Sequence, residues 1–277
     1  MPDKHLWQAA IVKELQELRA LKTWTLHALP PGRKPVKHKW VFRRKLLPDG
    51  RVERYKARLV GKGFTQMAGV DYNDVFSPVV RADSARIVLA LGLCLGLTVK
   101  QVDIGNAYLN APLKEDIFLT VPEGVKFLND EVCPSGFVWK LNKGVPGLRQ
   151  SGRNWHELFA AWLCERGFVS TNSDCCVFVK GESGLVVILY VDDMLVVCKR
   201  NADYVDFASE LRKGFRVTEL GDMHWFLGVE LQRSGATSAF LTQTSYLTRV
   251  LERFGMMDCK PAATPADSKL DSQAMRE

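Results

Sequence analysis

An apolar run interrupted by two adjacent aspartates constrains the fold of this 277-residue chain more than any other feature. Residues 185–198 read Leu-Val-Val-Ile-Leu-Tyr-Val-Asp-Asp-Met-Leu-Val-Val-Cys, which predicts two β-strands joined at Asp192 and Asp193. Neither strand alternates with polar residues, so we expect the hairpin in a core, covered by helices. Carboxylates beside apolar surface need a cation or a partner, because an unpaired charge there is costly. The alternative is an Asp-Asp turn held by backbone amides.

Positive charge is concentrated in one segment. The formal net charge is +7, yet residues 31–62 alone contain twelve Lys or Arg and two acids. Strand-like residues 37–47 and 52–60 flank Pro48-Asp49-Gly50, which predicts a hairpin. One basic element on a near-neutral body indicates a polyanionic partner such as nucleic acid, and a solvated basic hairpin is the alternative.

Composition argues against several classes of protein. The seven cysteines form no Cys-x-x-Cys pair and have no histidine at a zinc spacing. We therefore expect reduced thiols of an intracellular protein and no structural zinc site. The longest apolar segment, residues 87–99, is too short to span a membrane, and the N-terminus does not resemble a signal peptide.

The order of the predicted elements indicates an α+β fold. A strand at 98–103, a helix at 148–166, strands at 175–180 and in the hairpin, and a helix at 203–213 resemble a split β-α-β unit. This unit is an antiparallel sheet with helices on one face. Other predicted segments are a helix at 5–21, a connection at 24–35, strands at 117–121, 137–141, 224–231 and 239–242, and a helix at 246–254.

In that topology three carboxylates converge. The first strand ends at Asp103, beside the turn that holds Asp192 and Asp193. Magnesium suits such a group, because it takes oxygen ligands from few carboxylates and from substrate phosphates. Two such ions, roughly 3.5–4 Å apart, can activate an attacking oxygen and stabilise a leaving one.

Tyr190-Val191-Asp192-Asp193 resembles the Tyr-x-Asp-Asp box of reverse transcriptases. Further segments resemble the copia-type LTR-retrotransposon polymerases, in the same order along the chain. They are Lys39-Trp40-Val41-Phe42, Tyr55-Lys56-Ala57-Arg58-Leu59-Val60, Gly63-Phe64-Thr65-Gln66, Phe76-Ser77-Pro78-Val79-Val80, Leu109-Asn110, Gly147-Leu148-Arg149-Gln150, Leu220-Gly221, Phe226-Leu227-Gly228 and Leu251-Glu252-Arg253-Phe254-Gly255-Met256. A Tyr-x-Asp-Asp box by itself has little specificity, whereas this ordered set is highly specific.

The resemblance implies a right-hand polymerase with fingers, an antiparallel-sheet palm and a partial thumb. The expected divisions are 1–97 (N-terminal helix and basic fingers hairpin), 98–231 (palm and primer grip, with a fingers insertion at about 111–147) and 232–277 (start of the thumb and C-terminal tail). The implied activity is that of an RNA-directed DNA polymerase, a nucleotidyltransferase that adds deoxynucleotides to a primer 3′ end. Two Mg²⁺ ions would serve it, with Mn²⁺ as a substitute.

The resemblance also implies roles for individual residues. The catalytic and metal-binding residues are Asp103, Asp192 and Asp193, with the carbonyl of Ile104 as a further ligand. The nucleotide-binding residues are Lys45, Arg51, Lys56, Arg58, Tyr108 and Gln150, and the primer grip is Phe226, Leu227 and Gly228. Tyr108 would exclude a ribose 2′-hydroxyl. The alternatives are a half-buried tyrosine at 108, a helix N-terminal residue at 150 and an ordinary strand at 226–228.

The sequence departs from the family at Ile104-Gly105-Asn106 and Val145-Pro146-Gly147, and neither departure removes a ligand. The implied partners are an RNA or DNA template with its primer, deoxynucleotide triphosphates and the remainder of a Pol polyprotein, with no membrane. We find no sequence resembling RNase H, protease or integrase, and the thumb ends early, so we expect a polyprotein piece or a derived gene. The implied location is the cytoplasm or virus-like particles.

Two other functions remain open at this point. One is a domesticated nucleic-acid-binding fragment that no longer polymerises, and the short thumb motivates it. The other is a different palm-fold nucleotidyl enzyme such as a cyclase, against which the basic hairpin and Tyr108 argue.

Overall fold

The structure, a computed structural model, describes residues 3–47, 51–128, 134–181, 183–235 and 238–264. The predicted turn at Pro48-Asp49-Gly50, Cys133 and the end of the tail fall outside these ranges. The chain divides into two units, residues 1–223 and 224–277. The threefold division expected from the sequence stays a prediction.

Helices and antiparallel sheets are mixed along the chain, as the α+β prediction requires. The described helices are α1 (Lys4–Ala20), α2 (Ala82–Cys94), α3 (Ala107–Asn110), α4 (Ser151–Cys164), α5 (Asn201–Gly214) and α6 (Thr244–Arg253). The described strands are β1 (Trp24–Ala28), β2 (His38–Leu46), β3 (Val52–Gly61), β4 (Thr98–Ile104), β5 (Pro112–Leu119), β6 (Phe137–Lys143), β7 (Phe168–Ser170), β8 (Val177–Lys180), β9 (Leu185–Tyr190), β10 (Asp193–Cys198), β11 (Val217–Asp222), β12 (Trp225–Phe226), β13 (Val229–Arg233) and β14 (Ala239–Thr242).

A six-stranded antiparallel sheet forms the centre of the first unit, in the order β11-β4-β10-β9-β8-β7. Strands β9 and β10 are the predicted apolar hairpin. Strand β4 lies directly beside β10, so the predicted adjacency of the first strand and the hairpin is confirmed.

Helices cover both faces of this sheet. Helices α4 and α5 pack on one face through Trp155, Phe159 and Phe207. Helix α2 packs on the other, where a Cβ on Gly92 would lie 3.1 Å from Val197 Cγ1. The expectation of helices on one face is therefore wrong, because central strands that are apolar on both sides need cover on both.

A second core joins α1 to the base of the β2–β3 hairpin and to a three-stranded sheet, β1-β6-β5. Strand β1 lies within the segment predicted as a connection, so that prediction is wrong. Trp24 of β1 stacks on Trp139 of β6 with ring centroids 4.1 Å apart. This contact explains the strand, since five residues with mostly exposed side chains carry little periodic signal.

The second unit contains the sheet β12-β13-β14 and helix α6. Residues 224–231, predicted as one strand, instead form two strands joined by a tight turn at Leu227 and Gly228, whose φ angles are 50° and 79°. Positive φ at both turn residues matches the twist of a two-residue hairpin. Within the described ranges, no helix has the length and apolar character needed to cross a bilayer.

Candidate functional site

Three carboxylates lie at one edge of the central sheet. Asp103, near the end of β4, is directly opposite Asp193, the first residue of β10. Side chains of directly opposed residues point to the same face, with Cβ atoms about 4.5–5.5 Å apart. Asp192 occupies the turn between β9 and β10. The structure thus brings together the three acids that the sequence singled out.

The turn that holds Asp192 has an unusual backbone. Val191 has φ 54°, which is rare for a β-branched residue. Two hydrogen bonds stabilise this conformation: Trp155 Nε1 donates to the Val191 carbonyl over 2.7 Å, and the Ile104 amide donates to the Asp192 carbonyl over 2.8 Å. Because Trp155 is buried and Ile104 lies in the neighbouring strand, the turn is held from two sides.

The electrostatics of this edge are unfavourable without a cation. Burial, followed by the charge of Asp192, raises the pKa of Asp103. Burial, Asp192 and Asp103 raise the pKa of Asp193. No described residue forms a hydrogen bond or ion pair with the carboxylate oxygens of these three. Partly buried like charges of this kind are stabilised by a cation.

The three side chains fit a hard divalent cation by donor type, since carboxylate oxygens are the ligands magnesium takes. Among the described residues, no three acids at this edge each place one carboxylate oxygen within 4.8 Å of an oxygen of the other two. Ligation by fewer than three of the aspartates, completed by other oxygen donors, matches this spacing. Ile104 follows Asp103 at the end of β4 and is fully buried.

Replacing Asp193 with asparagine is expected to raise the free energy of unfolding at pH 7 by a few tenths to about 1 kcal/mol, the range of a partly exposed charge pair. Because folding raises the pKa of Asp193, the folded chain binds a proton more readily than the unfolded chain. The carboxylate therefore costs stability as the pH rises from its unfolded pKa through its folded pKa. Urea denaturation with a chelator present, at pH 7 and at pH 3.5, measures the difference.

The gain should shrink at pH 3.5, where the wild-type carboxyl is largely protonated in the folded state. Asp206→Asn, on the exposed side of α5, is the matched control. Its free energy of unfolding should differ little from that of wild type at either pH. A variant at 193 that is no more stable than wild type at pH 7 would contradict the proposed repulsion.

The β2–β3 hairpin has one basic face. Arg43 lies opposite Lys56, Val41 opposite Arg58 and Lys45 opposite Arg54, so these side chains share a face. That face, here named the basic face, comprises Lys39, Val41, Arg43, Lys45, Arg54, Lys56, Arg58 and Val60. Arg51 precedes β3, and its carbonyl accepts a hydrogen bond from Leu47 over 2.8 Å.

The other face of the hairpin packs on α1. Trp7 contacts the rings of Phe42 and Tyr55, with centroids 5.1 and 4.6 Å away. The side chains of Leu59 and Leu15 are buried in the same core. This packing leaves the basic face available to the rest of the first unit.

The basic face lies close enough to act on the carboxylates. Lys56, Arg58 and Lys45 each favour the ionised form of Asp103 and lower its pKa, against the effect of burial. Burial lowers the pKa of Lys56, and Arg58 and Lys45 add to that effect. The basic face and the carboxylates therefore act on each other electrostatically, and these opposite charges match a ligand that bears both cations and phosphates.

Tyr108 lies near these carboxylates, on the short helix α3. Burial raises the pKa of its hydroxyl, and Asp192 and Tyr190 raise it further. A Cβ on Gly152 would lie 4.0 Å from Tyr108 Cε1 and 2.7 Å from Ser77 Oγ. The absence of a side chain at 152 thus leaves room for the side chain of Ser77, whereas a Cβ there would be in ordinary contact with the ring of Tyr108.

Gln150 occupies a buried hydrogen-bond network. It is 1% exposed, accepts a bond from Gln66 over 3.0 Å, and donates to the Asp71 carbonyl over 2.8 Å and to Glu115 over 3.3 Å. These contacts fasten the loop around Asp71 to the start of α4. Its nucleotide-binding role stays a prediction.

The proposed primer-grip residues belong to the second unit. Phe226 is 3% exposed and pairs with Val229, and Leu227 with Gly228 forms the hairpin turn. Gln243 donates to the Gly228 carbonyl over 3.3 Å, which ties the turn to the start of α6. Residues 226–228 therefore do not form the ordinary strand considered as the alternative. They belong to a tight hairpin.

Gly105 and Asn106, where the sequence departs from the family, fit their surroundings through contacts with neighbouring side chains and backbone. A Cβ on Gly105 would lie 3.1 Å from Arg216 Cδ, and its amide donates to the Arg216 carbonyl over 2.8 Å. Asn106 has φ 56° and its side chain donates to Glu17 over 3.3 Å. The end of β4 next to Asp103 is therefore anchored.

Sequence reasoning missed Trp155 and the partners of Gln150. Trp155 has the spacing of an ordinary core residue on an amphipathic helix, and its indole bond to the Asp turn has no sequence signal. Gln66 lies in one of the segments that resemble the family. Its hydrogen bond to Gln150 joins residues 84 positions apart, so the local sequence does not indicate it.

Known protein sequences resemble this chain over most of its length. Residues 21–268 match the sequence model of the family described as reverse transcriptase (RNA-dependent DNA polymerase). The chain is 38% identical over 268 residues to the retrovirus-related Pol polyprotein from transposon TNT 1-94 of Nicotiana tabacum. It is 35% identical over 262 residues to the corresponding polyprotein from transposon RE1 of Arabidopsis thaliana.

A more distant similarity extends to yeast. The chain is 27% identical over 244 residues to the transposon Ty1-BR Gag-Pol polyprotein of Saccharomyces cerevisiae. These alignments cover 95%, 94% and 83% of this chain, but 20%, 18% and 13% of the respective polyproteins. The chain thus spans about a fifth or less of the length of these curated relatives.

Proposed function

Because this chain belongs to the reverse transcriptase (RNA-dependent DNA polymerase) family, we propose that it is the polymerase core of a copia-type Pol polyprotein. It would add deoxynucleotides to a primer 3′ end on an RNA or DNA template. The observation that carries the proposal is the carboxylate edge at Asp103, Asp192 and Asp193, bordered by the basic face of the hairpin.

The proposed parts follow the right-hand arrangement. Residues 1–97, with the insertion at about 111–147, would supply the fingers, residues 98–231 the palm and primer grip, and residues 232–277 the start of the thumb. The shared core of α1, the hairpin base and the β1-β6-β5 sheet supports grouping the insertion with the fingers. The six-stranded sheet that presents the aspartates supports the palm.

Reverse transcriptases generally use divalent metal ions, and we propose two Mg²⁺ ions here, for which Mn²⁺ can substitute. Asp103 and Asp192 would hold them directly, with the Ile104 carbonyl as a further ligand and Asp193 in a less direct role. Bound at this edge, the ions would make the primer 3′-hydroxyl more acidic and neutralise charge on the triphosphate.

The residues of the chain would act mainly by positioning and by charge. The backbone bonds at Val191 and Asp192 would hold the carboxylates in place before substrate arrives. Lys56 and Arg58, with Lys45 and Arg51 nearer the hairpin tip, would bind the triphosphate. The primer 3′-oxygen attacks the α-phosphorus, and the basic side chains stabilise the charge that leaves with pyrophosphate.

Tyr108 would lie under the sugar of the incoming nucleotide, where its ring would collide with a 2′-hydroxyl. Its electrostatic interaction with Asp192, one of the proposed metal ligands, supports this role. Gln150 would line the same pocket from the start of α4. Phe226, Leu227 and Gly228 would contact the primer end through the hairpin turn.

Replacing Tyr108 with valine is expected to increase ribonucleotide incorporation, relative to deoxynucleotide incorporation, by about 10–200-fold, the range for one group excluded from a pocket. Removal of the ring opens the volume that a 2′-hydroxyl needs. The ratio of kcat/KM for dTTP and UTP on one template measures the change.

Tyr108→Phe is the matched control, since it removes only the hydroxyl and keeps the ring. Its preference for dTTP over UTP should remain close to that of wild type. Equal discrimination in Tyr108→Val and wild type would remove the proposed gate.

The proposed activity is tested by primer extension on poly(rA)/oligo(dT) with Mg²⁺ and dTTP, with a chelator in a parallel reaction. Extension that needs both metal and template supports the polymerase and excludes a cyclase. Salt-dependent duplex binding by the folded chain without extension would instead favour a nucleic-acid-binding fragment. As part of a Pol polyprotein, the chain would act together with RNase H and integrase. The expected location is the cytoplasm or virus-like particles.

A further inference from the structure

A histidine and two cysteines meet where helix α4 approaches the start of β8, outside the region described above. His156 lies on α4, and Cys175 and Cys176 lie just before β8. One potential ligand atom from each of the three residues lies within 4.8 Å of the other two. No other set of three His, Cys, Asp or Glu residues in the described ranges meets this spacing.

The histidine has an unsatisfied polar atom. His156 Nε2 is buried and forms no hydrogen bond within the described part of the chain. A buried nitrogen without a partner destabilises the folded chain, so a ligand that accepts its lone pair would offset that cost. Cys176 is buried as well, at 1% exposed, whereas Cys175 is exposed and gives access to solvent.

The backbone around the two thiols is already ordered. Asp174 accepts hydrogen bonds from the Cys176 amide over 3.0 Å and from the Arg81 amide over 2.9 Å. The Cys176 carbonyl accepts a bond from the Leu189 amide of β9 over 2.9 Å. The thiols are thus held against the sheet, and the Asp174 carboxylate adds negative charge nearby.

We propose that His156, Cys175 and Cys176 form a Zn²⁺ site. Two thiolates and one imidazole are ligands that zinc prefers, and three protein ligands leave one tetrahedral position open to water beside the exposed Cys175. The cysteine spacing had predicted no zinc site. That prediction considered ligands close together in the sequence, whereas His156 approaches the thiols only through the packing of α4 on the sheet.

The site would join α4 to the strand segment before β8. His156 follows Trp155, which holds the Val191 turn, and Cys176 bonds to Leu189, next to Tyr190. Zinc would therefore stiffen the support of the carboxylate turn. The inference does not depend on polymerase activity.

Zinc binding to the reduced, metal-free chain tests the proposal directly. The chain is titrated with Zn²⁺ against a colorimetric zinc indicator, with a phosphine reductant and with excess Mg²⁺ to occupy the aspartates. We expect one Zn²⁺ per chain. Since changes to residues that only orient ligands weaken metal binding 10–100-fold, we expect His156→Gln and Cys175→Ser each to weaken it at least about 100-fold.

Cys164→Ser is the matched control, because Cys164 is an exposed thiol on the same helix, outside the cluster. It should bind zinc as wild type does. Co²⁺ in place of Zn²⁺ should give a thiolate-to-cobalt absorption band that Cys175→Ser weakens. Since Cys176 is buried and its replacement can unfold the chain, the exposed Cys175 decides the test, with circular dichroism to confirm folding.

Binding well below one Zn²⁺ per chain would overturn the proposal. So would affinity that His156→Gln and Cys175→Ser leave unchanged, since the zinc would then be bound elsewhere.

Discussion

Replacing Asp192 with asparagine is expected to reduce primer extension by at least about a thousand-fold, the upper range for one electrostatic group in a preorganised site. The change removes a negative charge and keeps the size of the side chain. The fold should persist, because the turn is held through the backbone carbonyls of Val191 and Asp192 and not through the carboxylate. Loss of Asp103 should have a similar effect.

The measurement is the initial rate on poly(rA)/oligo(dT) with Mg²⁺, next to circular dichroism and duplex binding. Asp206→Asn removes the same charge from an exposed position on α5 and should extend primers normally. A folded Asp192→Asn chain that extends primers at a rate near wild type would remove Asp192 from the proposed metal ligands.

Replacing Arg58 with alanine is expected to raise the KM for the nucleotide about 10–150-fold, which corresponds to one charge-assisted hydrogen bond of about 1.5–3 kcal/mol. Arg58 is exposed on the basic face and acts electrostatically on Asp103 and on Tyr108. A triphosphate bound next to the aspartates would therefore lie within its reach. Steady-state extension over a range of dTTP concentrations measures KM.

Arg44 provides a matched control on the same hairpin. It lies opposite Tyr55, on the face that packs towards α1, so Arg44→Ala removes an equal charge from the other face. The KM should then change less than about fivefold, as expected of an exposed charge worth under about 1 kcal/mol. Equal increases for both variants would indicate a general charge effect instead of a phosphate contact on the basic face.

Much of the central architecture follows from local patterns. The apolar run at 185–198 predicted the hairpin, and the order of strands and helices predicted that Asp103 would lie beside it, as the structure confirms. The strand-like residues 37–47 and 52–60 on either side of Pro48-Asp49-Gly50 likewise predicted the β2–β3 hairpin. These features depend on residue type and period over short stretches, which a sequence displays directly.

Other features depend on which distant residues meet. The pairing register of β2 and β3 assigns Arg58 and Arg44 to opposite faces, and a shift of one residue would exchange those faces. The cover of the sheet by α2 and the strand status of β1 follow from packing partners far along the chain.

The sequence by itself determined the family, the apolar hairpin and the three aspartates, since residue identity and local periodicity carry them. Only the tertiary structure decided that Trp155 holds the Val191 turn, that Gln150 is bonded to Gln66, and that His156 meets the two thiols. Each of these contacts joins residues separated along the chain, and its geometry depends on how helices and strands pack. The composition of a short segment does not identify the distant residue that it contacts.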